Sequence, residues 1–165
     1  MNHLGPFLLT HLLLPLLRDH APARIVNVVS ASQDSIYFDD IMLDHAYDGT
    51  HAYSQSKLAM VMATFELAKA LEPNNVTVNA LHPGSLLNTK IVREAWGQAH
   101  GPVEIGVESE IYLATSPELD GVSGKYFDQK RPVQGHPQAY DETARQRLWE
   151  TSMQLTGVSS LSSTK

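Results

Sequence analysis

Two short runs of β-branched residues, separated by a long helical stretch, constrain the fold of this chain most. Residues 23–30, ARIVNVVS, and residues 76–81, VTVNAL, are apolar enough to be strands buried on both faces. Between them, residues 51–71 are rich in Ala, Met and Leu and contain neither Gly nor Pro, which favours a helix. A strand, a helix and a second strand in this order predict a parallel α/β sheet with a right-handed crossover.

The remaining segments extend this pattern over one domain. The leucine-rich residues 4–17 are apolar all round a helix, which is typical of a helix that is buried or packed against a partner. The domain is predicted to span residues 1–157, and the Ser-rich residues 158–165 are predicted to form a disordered tail. The other predicted elements are helices over residues 102–114 and 139–155, a weaker strand over residues 124–127 and a long loop over residues 32–50.

Composition argues against several classes of partner and site. The formal net charge is −6 and the 12 Lys and Arg residues are scattered, so a nucleic-acid-binding surface is not expected. Cysteine is absent, and the 8 histidines lack metal-ligand spacing, so neither a disulfide nor a metal site is expected. No apolar stretch reaches the ~20 residues of a membrane-spanning helix. We expect a cytoplasmic protein without a membrane span.

The segment AYSQSKLAM carries the most chemical information. It places Tyr53 and Lys57 four residues apart in a predicted helix, where they share one face. A tyrosine has a pKa near ~10, and a neighbouring ammonium favours its phenolate form, so such a pair can exchange a proton with a substrate. The same spacing recurs at Tyr126 and Lys130. There a predicted strand runs into a loop, so the two side chains need not share a face and are not expected to be catalytic.

Polar residues also follow the two predicted strands. Ser30 ends the first strand, and residues 82–85, HPGS, end the second. Because parallel strands share a carboxyl edge, where ligand sites open, we expect these residues to lie near the Tyr53 helix. Ser30 also fits a residue that merely ends a strand. Asn2, which lies at the start of the first predicted helix, fits the N-cap of that helix.

The chain resembles the short-chain dehydrogenase/reductase family, and within it the retinol-dehydrogenase-like branch, in six segments that occur in the family's order: NHLGPFLLTHLLLPLL, RIVNVVSAS, AYSQSKLAM, HPG, SGKYF and RLWETS. The resemblance covers residues 1 to about 157. It implies an α/β, Rossmann-like three-layer fold with a parallel sheet. It also implies that the fold is truncated at its N-terminus, with strands that correspond to the fifth to seventh of the family.

The resemblance further implies a role for each site residue. Tyr53 would be the general acid and base at the substrate oxygen, Ser30 would hydrogen-bond that oxygen, and Lys57 would hold the nicotinamide ribose. Asn2 would hold a water molecule in the proton relay. Besides Tyr53 and Lys57, the cofactor-binding residues would be Pro83, Gly84, Leu86 and Thr89.

The chain departs from the family pattern in three places. The family often has paired serines where this chain has Val29 and Ser30, and Ser30 is interpreted as the catalytic one. The family's Ser or Thr beside the nicotinamide corresponds to Asn88, and Thr89 comes one residue later. The glycine-rich motif G-x-x-x-G-x-G, which cradles the cofactor pyrophosphate, does not occur in these 165 residues. The residue that distinguishes NAD from NADP belongs to the same half of the family fold, so the implied cofactor is NADP or NAD.

The opening stretch, MNHLGPFLLTHLLLPLL, fits either a secretory signal or an internal helix. Residues 21–23, APA, mimic a cleavage site, but no positively charged segment precedes the apolar run. In the family pattern this stretch is the helix that follows the fourth strand. We therefore expect Met1 to stand at an interior position of the family fold.

These features predict a fragment of an NAD(P)-dependent oxidoreductase that interconverts an alcohol and a carbonyl. The substrate is expected to be apolar if the loop over residues 35–51 lines its pocket. The alternative is a truncated, catalytically inactive relative that serves as an interaction or structural module. A serine hydrolase is disfavoured because no G-x-S-x-G motif surrounds Ser30. The helices over residues 2–17 and 51–71 match a pair that many family members use in a dimer contact, so a homo-oligomer is expected.

Overall fold

The computed structural model describes residues 1–72 and 75–158. Helices and strands alternate over residues 4–82, as an α/β fold requires. The helices are α1 Leu4–Asp19, α2 Gly49–Leu71, α3 Lys90–Trp96, α4 Val103–Thr115 and α5 Glu142–Thr156. The strands are β1 Ala23–Val28, β2 Val76–His82, β3 Tyr126–Asp128 and β4 Arg131–Val133, and short 3-10 turns cover Phe38–Asp40, Pro117–Leu119 and Pro137–Tyr140.

The four strands form one sheet in the order β1-β2-β3-β4. The first three strands are parallel, with Asn27 opposite Ala80 and Ala80 opposite Tyr126. The predicted parallel α/β sheet is therefore confirmed for these strands. β4 pairs antiparallel with β3. The sequence pattern does not predict β4, because its residues are exposed and Pro132 interrupts any strand pattern.

Helices cover both faces of the sheet, which gives the predicted three layers. On one face, Leu14 of α1 and Leu71 of α2 pack with Val76 and Val78 of β2, and Trp149 of α5 packs against this cluster. On the other face, Leu113 of α4 packs with Leu81 of β2 and with Phe127. Burying apolar side chains on both sides explains why β2 reads as a nearly continuous apolar run.

β1 is less buried than its sequence predicts. Its residues are half-buried, and Val28 is 39% exposed, whereas a strand buried on both faces was expected. The reason is its position, because within residues 1–72 and 75–158 β1 has one neighbouring strand, β2, and forms an edge of the sheet. An edge strand keeps part of its side-chain surface in solvent.

The helix boundaries differ slightly from the predictions. The α2 helix begins at Gly49 rather than at residue 51, because the carboxylate of Asp48 accepts a hydrogen bond from the backbone N–H of His51 at 2.7 Å. The last helix begins at Glu142, where Asp141 caps it, and the preceding residues form a 3-10 turn. Residues 90–96 form α3, which the mixed composition of that segment does not predict. Of the predicted tail, residues 159–165 lie outside the described part of the chain.

Within the described ranges, no helix has the length and hydropathy that crossing a membrane requires.

Candidate active site

The carboxyl ends of β1 and β2 and the first turns of α2 bring the predicted site residues to one edge of the sheet. Ser30 lies two residues beyond the end of β1, and Tyr53 and Lys57 lie near the start of α2. The Lys57 ammonium donates a hydrogen bond to the backbone carbonyl of Val28 at 3.2 Å. The same nitrogen lies 5.6 Å from the centre of the Tyr53 ring. Lys57 therefore joins the end of β1 to the tyrosine.

The environment of Lys57 affects its charge. Its side chain is half-buried, and this burial lowers the pKa of the ammonium from its usual value. A lysine ammonium has three donors, and the Val28 carbonyl uses one of them. The other donors can bind hydroxyl groups that approach from solvent, such as those of a ribose.

A network of side chains fixes the loop that carries Ser30. The hydroxyl oxygen of Ser30 accepts from the backbone N–H of Ser32 at 3.1 Å, which leaves its own hydrogen free to donate. Its backbone carbonyl accepts from the Gln33 amide at 2.9 Å and from the Tyr126 hydroxyl at 3.4 Å. The hydroxyls of Ser32 and Ser54 lie 2.7 Å apart, which ties this loop to the residue after Tyr53. The predicted catalytic serine is thus held on a defined backbone.

Sequence reasoning did not assign a role to Gln33, Ser54 or Tyr126. Ser54 and Tyr126 contact the Ser30 loop from α2 and β3, so these contacts depend on how the elements pack. Gln33 lies in the loop itself, three residues after Ser30, and its amide oxygen is held by the backbone N–H of the distant His136. The sequence signal for Tyr126 is its place in SGKYF, one of the six segments that resemble the family.

The second Tyr–Lys pair does not form a site. Tyr126 is buried on β3, and burial raises its pKa to about 12. The Lys130 ammonium instead pairs with the Glu108 carboxylate of α4 at 3.0 Å. The two side chains contact different elements, as the predicted strand-to-loop boundary suggested.

Asn2 does not cap the first helix, which rules out its alternative interpretation. The N-cap position belongs to His3, and no side chain caps the helix there. The Asn2 amide instead lies 3.5 Å from the Ser56 hydroxyl, at the limit of a hydrogen bond. Ser56 in turn donates to the backbone carbonyl of Tyr53 at 2.7 Å. Asn2 therefore lies beside the turn of α2 that carries Tyr53, and its proposed role in a proton relay stays a prediction.

The turn after β2 supplies the remaining predicted residues. Gly84, which follows Pro83, has a φ of +133°, and a Cβ there would lie 3.1 Å from the Leu87 side chain. Leu86 also has a positive φ, of 49°. Glycine at position 84 therefore accommodates the positive φ and avoids a tight contact between a Cβ and the Leu87 side chain. A contact between this turn and a nicotinamide stays a prediction.

Thr89 has a structural role in this turn. Its hydroxyl accepts from the backbone N–H of Val92 at 3.4 Å and caps α3. The neighbouring Asn88 side chain accepts from Arg93 at 2.8 Å. A contact between Thr89 and a cofactor stays a prediction.

Among residues 1–72 and 75–158, no three His, Asp or Glu side chains are placed to hold a metal ion.

Similar proteins point to one family. A family model described as short chain dehydrogenase matches residues 1–99. Retinol dehydrogenase 14 of Homo sapiens is 42% identical to this chain, over 96% of this chain and 51% of that protein. An uncharacterized protein from Mycobacterium Paratuberculosis has a crystal structure that matches with a TM-score of 0.73 and 29% identity, over 95% of this chain and 57% of that one.

A crystal structure of a Brucella ovis oxidoreductase of the short chain dehydrogenase/reductase family, in complex with a partially ordered NAD, also matches. Its TM-score is 0.52 at 28% identity, over 77% of this chain and 48% of that one. The chain spans about half the length of the curated relatives that it matches. Since the family model matches more than half of its residues, the chain belongs to the short-chain dehydrogenase/reductase family of oxidoreductases.

Proposed function

We propose that this chain carries the reaction centre of a nicotinamide-dependent oxidoreductase that interconverts an alcohol and a carbonyl, with Ser30, Tyr53 and Lys57 as its chemical groups. The observation that carries the proposal is the position of Lys57, whose ammonium lies between the end of β1 and the Tyr53 ring. The cofactor would be NAD or NADP, in line with the NAD present in the Brucella ovis structure.

Each residue has a distinct task in the proposed reaction. The nicotinamide, when bound, supplies or accepts the hydride. Tyr53 takes the hydroxyl proton during alcohol oxidation and returns a proton to the carbonyl oxygen during reduction. Ser30 donates its free hydroxyl hydrogen to the same oxygen, and Lys57 uses its remaining donors on the ribose hydroxyls. The turn at Pro83 and Gly84, which follows β2, borders the nicotinamide ring.

The proposed substrate is an apolar alcohol or carbonyl compound, and the names of the relatives, retinol dehydrogenases, support this class. The loop over residues 35–51 does not add to this support. Its residues Ile36, Ile41 and Met42 line a pocket to which Ser30, Tyr53 and Lys57 contribute nothing.

The proposal is tested by titrating the purified chain with NADH and NADPH and comparing Lys57→Ala with wild type. The residues assigned to the cofactor all lie at its nicotinamide end, so we expect a Kd of about 1 mM, equivalent to about 4 kcal/mol, and no measurable turnover of aldehydes or retinoids. Lys57→Ala should weaken binding several-fold, whereas Lys69→Ala, on the same helix, should not. Equal affinity in wild type and Lys57→Ala contradicts the proposal. Micromolar affinity contradicts the expected strength.

The alternative function, an inactive interaction module, is favoured by one surface. Helix α1 exposes four leucines spaced as one helical stripe. They are 42–68% exposed: Leu9, Leu12, Leu13 and Leu16. This stripe on α1 is the apolar surface that we propose for a homo-oligomer.

A further inference from the structure

One glycine of α4 lies against the turn that follows β2. Gly106 is buried near the start of α4, where a glycine stabilises the helix less than an alanine would and usually has a packing reason. A Cβ at this position would lie 2.7 Å from a methyl carbon of Leu87 and 3.5 Å from the Cβ of Pro83. Carbon atoms in contact lie about 3.5–4.0 Å apart, so the missing side chain allows α4 to approach the turn this closely.

Leu87 is enclosed by three glycines that come from three parts of the chain. One of its methyl groups faces Gly106. The other lies 3.1 Å from the position that a Cβ would take at Gly84 and 3.5 Å from the corresponding position at Gly101. Leu87 is 9% exposed, so its side chain fills the space that the three missing side chains leave. We call the space between Gly84, Gly101 and Gly106 the glycine niche.

Backbone hydrogen bonds hold Leu87 in the glycine niche. Leu87 pairs with Gly101 in an isolated bridge. The N–H of Asn88 donates to the carbonyl of Gly101, and the N–H of His100 donates to the carbonyl of Leu86, each at 2.9 Å. Because the leucine has glycine backbone behind it and paired backbone on both sides, a methyl group added on α4 should displace the turn together with Leu87.

The start of the same turn is held from the sheet. The backbone carbonyl of His82, the last residue of β2, accepts a hydrogen bond from the N–H of Gln129 at 2.8 Å. The His82 side chain is buried, and its Nε2 lies 3.2 Å from the hydroxyl oxygen of Ser85. Residues 83–87 are therefore fixed to β2 at one end and packed on α4 through Leu87 at the other.

We propose that Gly106 is a positioning residue, which sets where the turn over residues 83–87 lies and thereby how the nicotinamide ring fits against it. This inference rests on the proposed function, in which Pro83 and Gly84 border the ring. Gly106 acts through Leu87 and Pro83 and has no contact of its own with the cofactor. Its effect on the reaction would be large for a small displacement, because hydride transfer requires the ring within a narrow range of positions.

The packing is tested by urea unfolding of Gly106→Ala, Leu87→Val and the double variant. Gly106→Ala adds one carbon and Leu87→Val removes one, so the double variant keeps the volume of the niche. We expect Gly106→Ala to lower the urea midpoint, and the double variant to lose less than the two single variants together. Gly5→Ala is the control, because a Cβ at Gly5 of α1 would meet no atom within 4 Å, and it should not lower the midpoint. A midpoint that Gly106→Ala does not lower, or additive losses, overturns the proposal.

The positioning role is tested by saturation-transfer NMR of NADH on the folded wild type and the same variants. We expect the ratio of transfer to the nicotinamide over transfer to the adenine to fall to about half or less in Gly106→Ala. The double variant should recover this ratio, and Gly5→Ala should leave it unchanged. A nicotinamide signal in wild type that Gly106→Ala preserves would show a purely structural role and overturn the proposal alone. Absence of that signal in wild type would overturn the proposed function as well.

Discussion

The ammonium of Lys57 reaches across from α2 to the backbone carbonyl of Val28, at 3.2 Å, near the end of β1. This contact joins the helix that carries Tyr53 to the strand that leads to Ser30. Two residues that are 23 positions apart in the sequence, at 30 and 53, are thereby brought to one edge of the sheet. The contact also withdraws Lys57 partly from solvent, which has a measurable consequence.

The first prediction concerns the protonation of Lys57. Burial lowers the pKa of Lys57, whereas the hydrogen bond and charge of Glu142 raise the pKa of Lys69 on the same helix. A base with a lowered pKa loses its proton at a lower pH. We therefore measure the acetylation rate of each lysine over a pH series. The pH at which this rate reaches half its maximum should be lower for Lys57 than for Lys69. Coincident midpoints, or the reverse order, contradict the described environment of Lys57.

The second prediction concerns the support of Ser30. The Gln33 amide donates to the Ser30 carbonyl at 2.9 Å, and its oxygen accepts from the backbone N–H of His136 at 3.0 Å. Gln33→Ala removes both bonds and should lower the free energy of unfolding by about 1–3 kcal/mol. Urea unfolding measures this change, with Gln146→Ala, an exposed glutamine of α5, as the control. Similar unfolding curves for both variants count against a supporting role.

The third prediction compares two ion pairs between α2 and α5. Arg145 and Glu66 lie 2.6 Å apart with side chains 16% and 14% exposed, so removing one charge leaves the other poorly solvated. We expect Glu66→Gln to lower the free energy of unfolding by about 2–3 kcal/mol. Lys69 and Glu142 pair at 2.8 Å in solvent, and Glu142→Gln should change stability little. Thermal unfolding measures the stability of both variants. Equal losses of stability in Glu66→Gln and Glu142→Gln would show that burial does not distinguish the two ion pairs.

The fourth prediction concerns self-association through α1. The stripe that includes Leu12 and Leu16 exposes apolar surface that another copy of the chain can cover. Sedimentation should show association at micromolar concentration, and the double variant Leu12→Gln, Leu16→Gln should reduce it. A single monomeric species of the wild-type chain at this concentration contradicts the expected homo-oligomer.

Much of the fold follows from local sequence patterns. The apolar run VTVNAL forms the predicted strand, and the segment around HAYSQSKLAM, which contains neither Gly nor Pro, forms the predicted helix. β4 and α3 are different, because β4 forms only by pairing with β3 and α3 depends on the Thr89 cap at its start. The partial exposure of β1 follows from its place at the sheet edge, which no pattern within the strand encodes.

The candidate site also combines features that follow from local sequence with features that follow from tertiary contacts. The helical spacing of Tyr53 and Lys57 is local, so the sequence predicts their shared position. The hydrogen bond from Tyr126 to the Ser30 carbonyl, and the one from His136 that holds Gln33, join distant segments and become visible only in three dimensions.

If Tyr53, Lys57 and the turn after β2 hold the nicotinamide end of a dinucleotide, NADH must bind to the protein in a fixed orientation. Saturation-transfer NMR at millimolar NADH compares the protons of the nicotinamide ring with those of the adenine ring. We expect stronger transfer to the nicotinamide, reduced in Tyr53→Phe and unchanged in the control Tyr47→Phe, where the exposed Tyr47 loses the same hydroxyl. Stronger transfer to the adenine, or a nicotinamide signal that Tyr53→Phe leaves intact, would contradict it.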